Sequence, residues 1–228
     1  MNVKLISISK PVEDCTTAED MIAYVARVSN PENQNNMSNS SNLIKYLIKH
    51  KHWSPFELVN MTLEINTTRD ISRQILRHRS FSFQEFSQRY ADPTKSLEFS
   101  TREFRLQDKT NRQNSIELNG ETAKHYSNDM EIWEALQNNI IKESLSAYEW
   151  AISKGIAKEQ ARVVLPEGLM HTKLYMSGSL RSWLHYCELR MGNGTQKEHR
   201  LIAEKCWDIV SQQFPSISEA IKELKEKG

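Results

Sequence analysis

Arg77-His78-Arg79-Ser80-Phe81-Ser82-Phe83-Gln84-Glu85-Phe86-Ser87-Gln88-Arg89-Tyr90 is the stretch around which the chain is organised. It opens on three cationic or titratable side chains. The hydroxyls of Ser80, Ser82 and Ser87 follow, with the carboxylate of Glu85, then Arg89 and Tyr90. Consecutive helical residues point about 100° apart, so Arg77, His78 and Arg79 cannot all serve one groove. They can serve two ligands that meet at one point. A guanidinium donates two parallel hydrogen bonds and suits a phosphate. An imidazole can stack on a flat heterocycle or donate to it, and a Ser- and Gln-rich loop adds short-range partners. A solvated basic helix end, favoured by the helix dipole, would explain an arbitrary Arg-His-Arg but not a pattern of this length.

The flanking elements set the fold class. Val59, Met61, Leu63 and Ile65 alternate strictly with Asn60, Thr62, Glu64 and Asn66, which predicts a strand. Thr67 or Thr68 then caps a helix with Ile71, Ile75 and Leu76 inward, delivering Gln74, Arg77 and His78 at its C-terminal end. Val3 and Leu5, then Ile6 and Ile8 on the opposite phase, predict a first strand with apolar contacts on both faces or with a bulge near Leu5. Thr16-x-x-Glu19 reads as a capping box for a helix carrying Met21, Ile22, Val25 and Val28. Residues 31–42 read as a polar loop, and a helix from Asn42 carries Leu43, Ile44, Leu47 and Ile48 on one face.

Downstream, Leu97 to Leu106 reads as a strand with a phase slip and 107–120 as a mobile surface insertion. Glu121 to Ser153 reads as one long helix, its apolar stripe running from Tyr126 to Ile152 and its end marked by Gly155. A short helix holding Gln160, Ala161 and Arg162 stops before Pro166. Residues 169–177 read as a strand and Ser179 to Met191 as a helix; another helix carries Leu201, Ile202, Cys206, Ile209 and Val210. Ser216-x-x-Glu219 caps a last, charged helix. No repeat or linker divides the chain. The expectation is one α+β domain over residues 1–228, a mixed β-sheet with several helices, two of them long.

The chain of 228 residues is 38% hydrophobic and 26% charged, with five Trp, seven Tyr and seven Phe as core material, and fits a soluble globular protein. Its net charge of +1 supplies no global field for nucleic acid or an anionic membrane, so any anion site is local. No apolar run approaches the roughly 20 residues that span a bilayer. Cys15, Cys187 and Cys206 form neither a CxxC nor an even framework, which points to a reducing, cytoplasmic setting. No HExxH or His/Cys cluster suggests a metal, and no GxGxxG suggests a Rossmann fold.

Arg77, His78, Arg79, Ser82, Ser87, Arg89 and Tyr90, at this spacing, resemble the signature of the flavin-dependent thymidylate synthases, the ThyX family. Three further segments are similar to family motifs: His52-Trp53-Ser54-Pro55-Phe56-Glu57, Gln160-Ala161-Arg162-Val163-Val164-Leu165-Pro166, and the run from Leu180 to Arg190. The resemblance covers roughly Ser29 to Gln196; residues 31–42 and 107–120 lie outside its motifs, and the C-terminal helix adds no recognised site residue.

The resemblance implies a ThyX-like fold and the reductive methylation of dUMP to dTMP. 5,10-Methylenetetrahydrofolate would give the carbon and FAD, reduced by NADPH, the hydride. It also implies a homotetramer with sites at subunit interfaces. The dUMP contacts carried over are Gln74, Ile75, Leu76, Arg77, Glu85, Phe86, Ser87, Gln88, Arg89, Arg162 and Arg190. The FAD contacts are Ser29, His52, Ser54, Arg77, His78, Arg79, Glu85, Ser179, Leu180, Arg181 and His185, the last standing where some members carry Asn. Arg181 and His185 are four apart and share a helix face, whereas Arg190 points elsewhere, toward a second ligand.

Uracil C5 is a poor nucleophile and improves as negative charge builds on the ring. Arg190, charged at any working pH, is the residue assigned to stabilise that charge, and it is the one catalytic assignment. None of the three cysteines has the basic, open setting that activates a thiol, and Ser87 has no evident adjacent base. The reaction is therefore read as proceeding without a covalent enzyme adduct. The competing class is a nucleic-acid-binding domain using Arg69, Arg73 and Arg77 as a phosphate stripe, against which stand the near-neutral charge and the lack of a nucleic-acid motif.

Overall fold

The computed structural model describes residues 1–12 and 15–227. Its centre is a four-stranded sheet in the order β1 (Asn2–Ile8), β2 (Asn60–Thr68), β6 (His171–Ser179), β3 (Ser82–Glu85). Every pairing is antiparallel, so the sheet is not the mixed one expected. The reason is connectivity: the long excursion after β3 brings β6 back between β2 and β3, and no helical crossover joins sheet neighbours in parallel. The alternation read in β2 is real. Met61, Leu63 and Ile65 are buried, and Leu63 faces Met176 and Ile65 faces Leu174 across the ladder. Each such buried side chain contributes about 1.5–3 kcal/mol. The first strand carries the expected bulge: pairing passes from Leu5↔Leu63 to Ser7↔Thr62 and leaves Ile6 out.

β3 occupies part of the stretch read as a loop. Phe81 and Phe83 face inward between Ser82 and Gln84, a period of two that the density of polar groups obscured. The helix before it, α3, spans Arg69–Ile75 and starts at an extended Thr68, whose hydroxyl bonds Asp70 and not the backbone. It buries Ile71 and Ile75, leaves Leu76 half-buried, and ends before Arg77.

The remaining helices are α1 (Ala18–Ala26), α2 (Ser40–Lys49), α4 (Pro93–Ser96), α5 (Gly120–His125), α6 (Ser127–Ser153), α7 (Lys158–Ala161), α8 (Leu180–Arg190), α9 (Lys197–Gln213) and α10 (Pro215–Lys227). α6 and α9, at 27 and 17 residues, are the two long ones. α8 and α9 pack on each other, with α9 and α3 against the sheet and α10 against α2 and α9. Among the described residues no helix is long and apolar enough to cross a membrane.

Several local expectations are corrected. The capping box of α1 is Thr17 with Asp20, one residue on from Thr16 and Glu19. Glu19 instead accepts the amides of Ser216 and Ile217 at the start of α10, so Ser216 is a donor there. Residues 31–42 are not a plain loop: short 3-10 turns lie at Pro31–Asn33 and Met37–Asn39 before α2 begins at Ser40. Leu97 to Leu106 is no continuous strand; Phe99 makes one bridge to Met170, and Arg105–Gln107 (β4) pairs with Ser115–Glu117 (β5) as a hairpin. The long helix breaks at Tyr126, and its apolar stripe is largely outside the core: Trp133, Leu136 and Ile140 are 40%, 52% and 50% exposed. Gly155 does close it, with φ of 76°.

Candidate active site

Phe81 anchors the 77–90 stretch. Its ring meets Trp183 edge-on at 4.8 Å and lies over Gly178, where a Cβ would come within 2.5 Å of Phe81 Cδ1. Glycine at 178 is thus what lets the stretch lie against α8. A turn closed by His78 N–H on the Ile75 carbonyl aims His78 at the C-terminal end of α8. There Arg190 donates from Nε to His78 Nε2 at 2.9 Å. That bond makes Nε2 an acceptor and puts the imidazole proton on Nδ1. Burial, then Arg190 and Arg77, pushes the His78 pKa down to about 4, so the ring is neutral at physiological pH.

Behind His78 lies a buried polar cluster. His78 packs edge-on to Tyr186, with ring centroids 4.9 Å apart, and His199 is 6.2 Å beyond. His199 is fully buried; Nε2 lies 3.1 Å from the Tyr186 hydroxyl and Nδ1 lies 3.3 Å from Gln74 Oε1. Burial, reinforced by Arg190, His78 and Arg77, pushes His199 down to about 3. Gln74 donates to Gln196 at 2.8 Å, and Gln196 to Glu198 at 2.9 Å. For Glu198, burial alone would raise the pKa, but Arg102 and other partners, Gln196 and Arg105 among them, outweigh it and hold the pKa low.

A second group sits around the N-terminal end of α8. Ser179 caps the helix through the Ser182 amide and donates to Glu57 at 2.5 Å. Arg181 donates to the other Glu57 oxygen at 2.8 Å. The Glu57 pKa is lowered, first by the Ser179 hydroxyl and then by Arg181 against the cost of burial. His185, one turn on, meets Trp53 edge-on at 5.0 Å. Glu57 and Trp53 belong to the motif with His52 and Ser54, both exposed, and Ser54 starts a 3-10 turn. Lys51, with φ of 57°, bends the chain out of α2 into His52. Arg181 therefore stands at one end of α8, His185 in its middle and Arg190 at the other end, Arg181 and Arg190 being roughly 13 Å apart along the axis at 1.5 Å per residue. Ser29 stands exposed at the end of the turn after α1, and Arg77 and Arg79 are exposed.

A third group is made by 87–90 and α7. Arg89 pairs with Glu159 at 3.1 Å, and Lys158 donates to the Tyr90 carbonyl. The Ser87 hydroxyl accepts the Arg89 amide at 3.4 Å, and Arg162, half-buried, follows α7 directly. Among the described residues no side-chain hydrogen bond or ion pair joins this group to the one around Gln74, His78 and Arg190.

Some expected site residues turn inward. Ile75 and Leu180 are buried, and the Leu180 amide is spent on the Val59 carbonyl. The Phe86 amide bonds the Lys173 carbonyl. Gln88 is buried and donates to Met170 Sδ at 3.1 Å. Glu85 accepts from Ser72 at 2.8 Å and Thr172 at 2.9 Å, with Arg69 and Arg73 both at 3.8 Å. The side chains of Ile75, Leu180 and Gln88, and the Glu85 carboxylate, are thus engaged within the fold.

Residues 12–216 match the family described as Thymidylate synthase complementing protein. The probable flavin-dependent thymidylate synthase of Paramecium bursaria Chlorella virus 1 is 50% identical over 222 residues, covering 97% of this chain and 99% of that protein. The flavin-dependent thymidylate synthase of a Synechocystis species is 46% identical over 228 residues, covering 97% and 100%. The chain belongs to the flavin-dependent thymidylate synthase family. As a member it is a flavin-requiring methyltransferase that converts dUMP to dTMP. A solved structure, the UMP/dUMP methylase PolB of Streptomyces cacaoi bound with 5-Br dUMP, shares the fold with a TM-score of 0.76 at 24% identity, covering 97% of this chain and 94% of that one.

Family membership disfavours the nucleic-acid reading, and the geometry agrees. Arg69 is 5% exposed and faces Glu85 and Glu167, Arg73 pairs with Glu167 at 3.1 Å, and Arg77 lies beyond the helix. No free phosphate stripe exists there. The sequence reading missed Gln196, Glu198 and His199. The available signal was a His in register with Ile202, Cys206 and Val210 on the buried stripe of α9.

Proposed function

We propose that this chain methylates dUMP with 5,10-methylenetetrahydrofolate and FAD reduced by NADPH, in the cytoplasm, as one catalytic domain spanning residues 1–228. The observation that carries the reading is the Arg190–His78 pair beside Gln74 and Arg77. Arg190 spends Nε on His78 and keeps its two terminal nitrogens for a ligand. Placed beside a uracil ring, they would stabilise negative charge on it and raise the nucleophilicity of C5. His78, neutral and protonated on Nδ1, can donate to a ring without adding charge.

The residues fit a flavin dinucleotide. Arg77, Arg79 and Arg181 suit its diphosphate, while His52, Trp53 and His185 offer flat faces. Bound there, the reduced flavin supplies the hydride that completes the methyl group. Ser54, Ser179 and the backbone at Leu180 would position it, and Ser29 and Glu85 stand as outer contacts.

Arg89 and Arg162, with Ser87 and the backbone at 86–88, suit the nucleotide phosphate. They form a group separate from Gln74, Arg77 and Arg190, and α6, whose C-terminal part packs by α7, carries an exposed apolar stripe at Trp133, Leu136 and Ile140. Both features support a homotetramer in which one protomer's Arg190 group meets another's Arg89 group. An exposed apolar face of that kind is covered in oligomers.

Neither Cys187 nor Cys206 is suited to attack the uracil. Burial pushes Cys187 up to about 12 and Cys206 well above its usual value. The test is direct. Purified protein with FAD, NADPH, methylenetetrahydrofolate and dUMP should yield dTMP, read by mass. Protein that holds flavin and oxidises NADPH but forms no dTMP would overturn the reading.

A further inference from the structure

We propose that Glu198, Gln196 and His199 are positioning residues that fix the side-chain amide of Gln74 in one orientation for the nucleotide. The inference rests on the reading above that Gln74 touches dUMP.

The argument is one of donors and acceptors. Glu198 is paired with Arg105 and lies 3.0 Å from Arg102 Nη1, so it is ionised and can only accept. Gln196 must therefore turn its NH2 toward Glu198, at 2.9 Å, which leaves Oε1 facing Gln74. Gln74 must in turn present its NH2 to Gln196, at 2.8 Å, which leaves its own Oε1 toward His199 at 3.3 Å. An acceptor there puts the His199 proton on Nδ1, and Nε2 then accepts from the Tyr186 hydroxyl at 3.1 Å. Each orientation dictates the next, starting from a carboxylate that cannot flip its role. Amide orientation, usually ambiguous, is determined by this chain of bonds.

Burial makes the arrangement costly to leave. His199 has no exposed surface and Glu198 is 5% exposed, so a wrong orientation would face donor against donor without water. Gln74 is left with one N–H and one lone pair, both in fixed directions. A uracil carbonyl and ring N–H are the groups such a pair recognises. Ile202, Ala203, Cys206 and Val210 on the same stripe are apolar, so within the cluster His199 serves only Gln74 and the buried Tyr186 hydroxyl.

The test uses flavin-loaded protein and dUMP titrated by calorimetry. Gln74→Ala and His199→Leu should each weaken dUMP roughly tenfold, the scale of an unsatisfied buried hydrogen bond. Flavin content should stay unchanged, and the KM for dUMP should rise with kcat nearly constant. His199→Asn places an amide N–H near the lost Nδ1–H and should recover most of the affinity. His199→Gln reaches toward Tyr186 instead and should not. If Asn and Gln behave alike, His199 fills space and the proposal is wrong, even should the Leu variant fail to fold. If Gln74→Ala weakens dUMP but His199→Leu does not, the relay fails while the nucleotide reading stands. If Gln74→Ala changes nothing, both fall.

Discussion

Arg190 donates through Nε to Nε2 of His78 at 2.9 Å, across 112 residues of sequence. The bond ties the end of α8 to the 77–90 stretch and orients the guanidinium before any ligand arrives. Lysine at 190 would keep the charge but must choose between His78 and a ligand, because it has no second arm. Arg190→Ala should lower dUMP-dependent turnover at least about a hundredfold, the scale of a lost charge-stabilising donor. Arg190→Lys should lose much of the activity too. NADPH should still reduce the flavin in both. Stopped-flow of the two half-reactions decides: equal slowing of both halves would mean a structural role only.

The two depressed histidines make stability pH-dependent. His78 and His199 have folded pKa values of about 4 and about 3 against 6.5 unfolded. Above 6.5 both states are neutral and the full stability is present. As pH falls below 6.5 the unfolded chain takes up protons that the folded one refuses, so stability drops progressively toward pH 3–4. Urea midpoints should fall steadily between about pH 7 and about pH 5, and His199→Asn should flatten the slope. An unchanged slope in that variant would show that His199 does not contribute.

Arg89 is held by Glu159 in an exposed pair, with side chains 59% and 48% accessible. Such a pair is worth little to stability, so Arg89 is available to a phosphate at small cost. Arg89→Ala should weaken dUMP at least roughly tenfold, because a charge-assisted bond contributes about 1.5–3 kcal/mol. Glu159→Gln should tighten dUMP by about twofold to fivefold by removing the competitor. Titration of both variants checks the pair; unaltered affinity in Arg89→Ala removes Arg89 from the site.

What was legible in the sequence was local pattern. The alternation of β2, the bulge at Ile6 and the stop at Gly155 follow from period and from one conformationally free residue. The α1 cap slipped because Thr16-x-x-Glu19 and Thr17-x-x-Asp20 satisfy the same rule. Only the distant amides of Ser216 and Ile217 claim Glu19 and decide between them. The α6 stripe misled differently: periodicity reports an apolar face, not what covers it. At the site, the motif residues were legible by resemblance, but the Glu198–Gln196–Gln74–His199 chain was not, since its order exists only once α3 and α9 meet.

The cysteines should prove dispensable for chemistry. Cys187 and Cys206 are fully buried, with thiols held protonated by desolvation. Single Ala replacements should cost about 1 kcal/mol of stability through lost packing and leave dTMP formation intact. Mass spectrometry of quenched turnover should find no cysteine-bound nucleotide. Loss of turnover in a folded, flavin-bound variant, or a trapped cysteine adduct, would refute the mechanism without an enzyme nucleophile.

The last expectation concerns how the site is assembled. Arg190 and Arg89 belong to groups that no described side-chain bond connects within one chain. Trp133, Leu136 and Ile140 are exposed on α6, the helix whose C-terminal part, at Tyr148 and Ala151, packs by α7 of the Arg89 group. If one protomer's Arg190 group works with another's Arg89 group, each inactive variant carries an intact half that the other lacks. Arg190→Ala and Arg89→Ala proteins, each nearly inactive, should then complement when co-expressed. Random mixing pairs two intact halves in about a quarter of the sites, which sets the expected activity. Adding Leu136→Asp to both chains should abolish the recovery by exposing a charge at the covered face, and sedimentation should show smaller species. A site contained in one chain predicts no recovery at any mixing ratio, and that result would place both arginines in the same protomer's pocket.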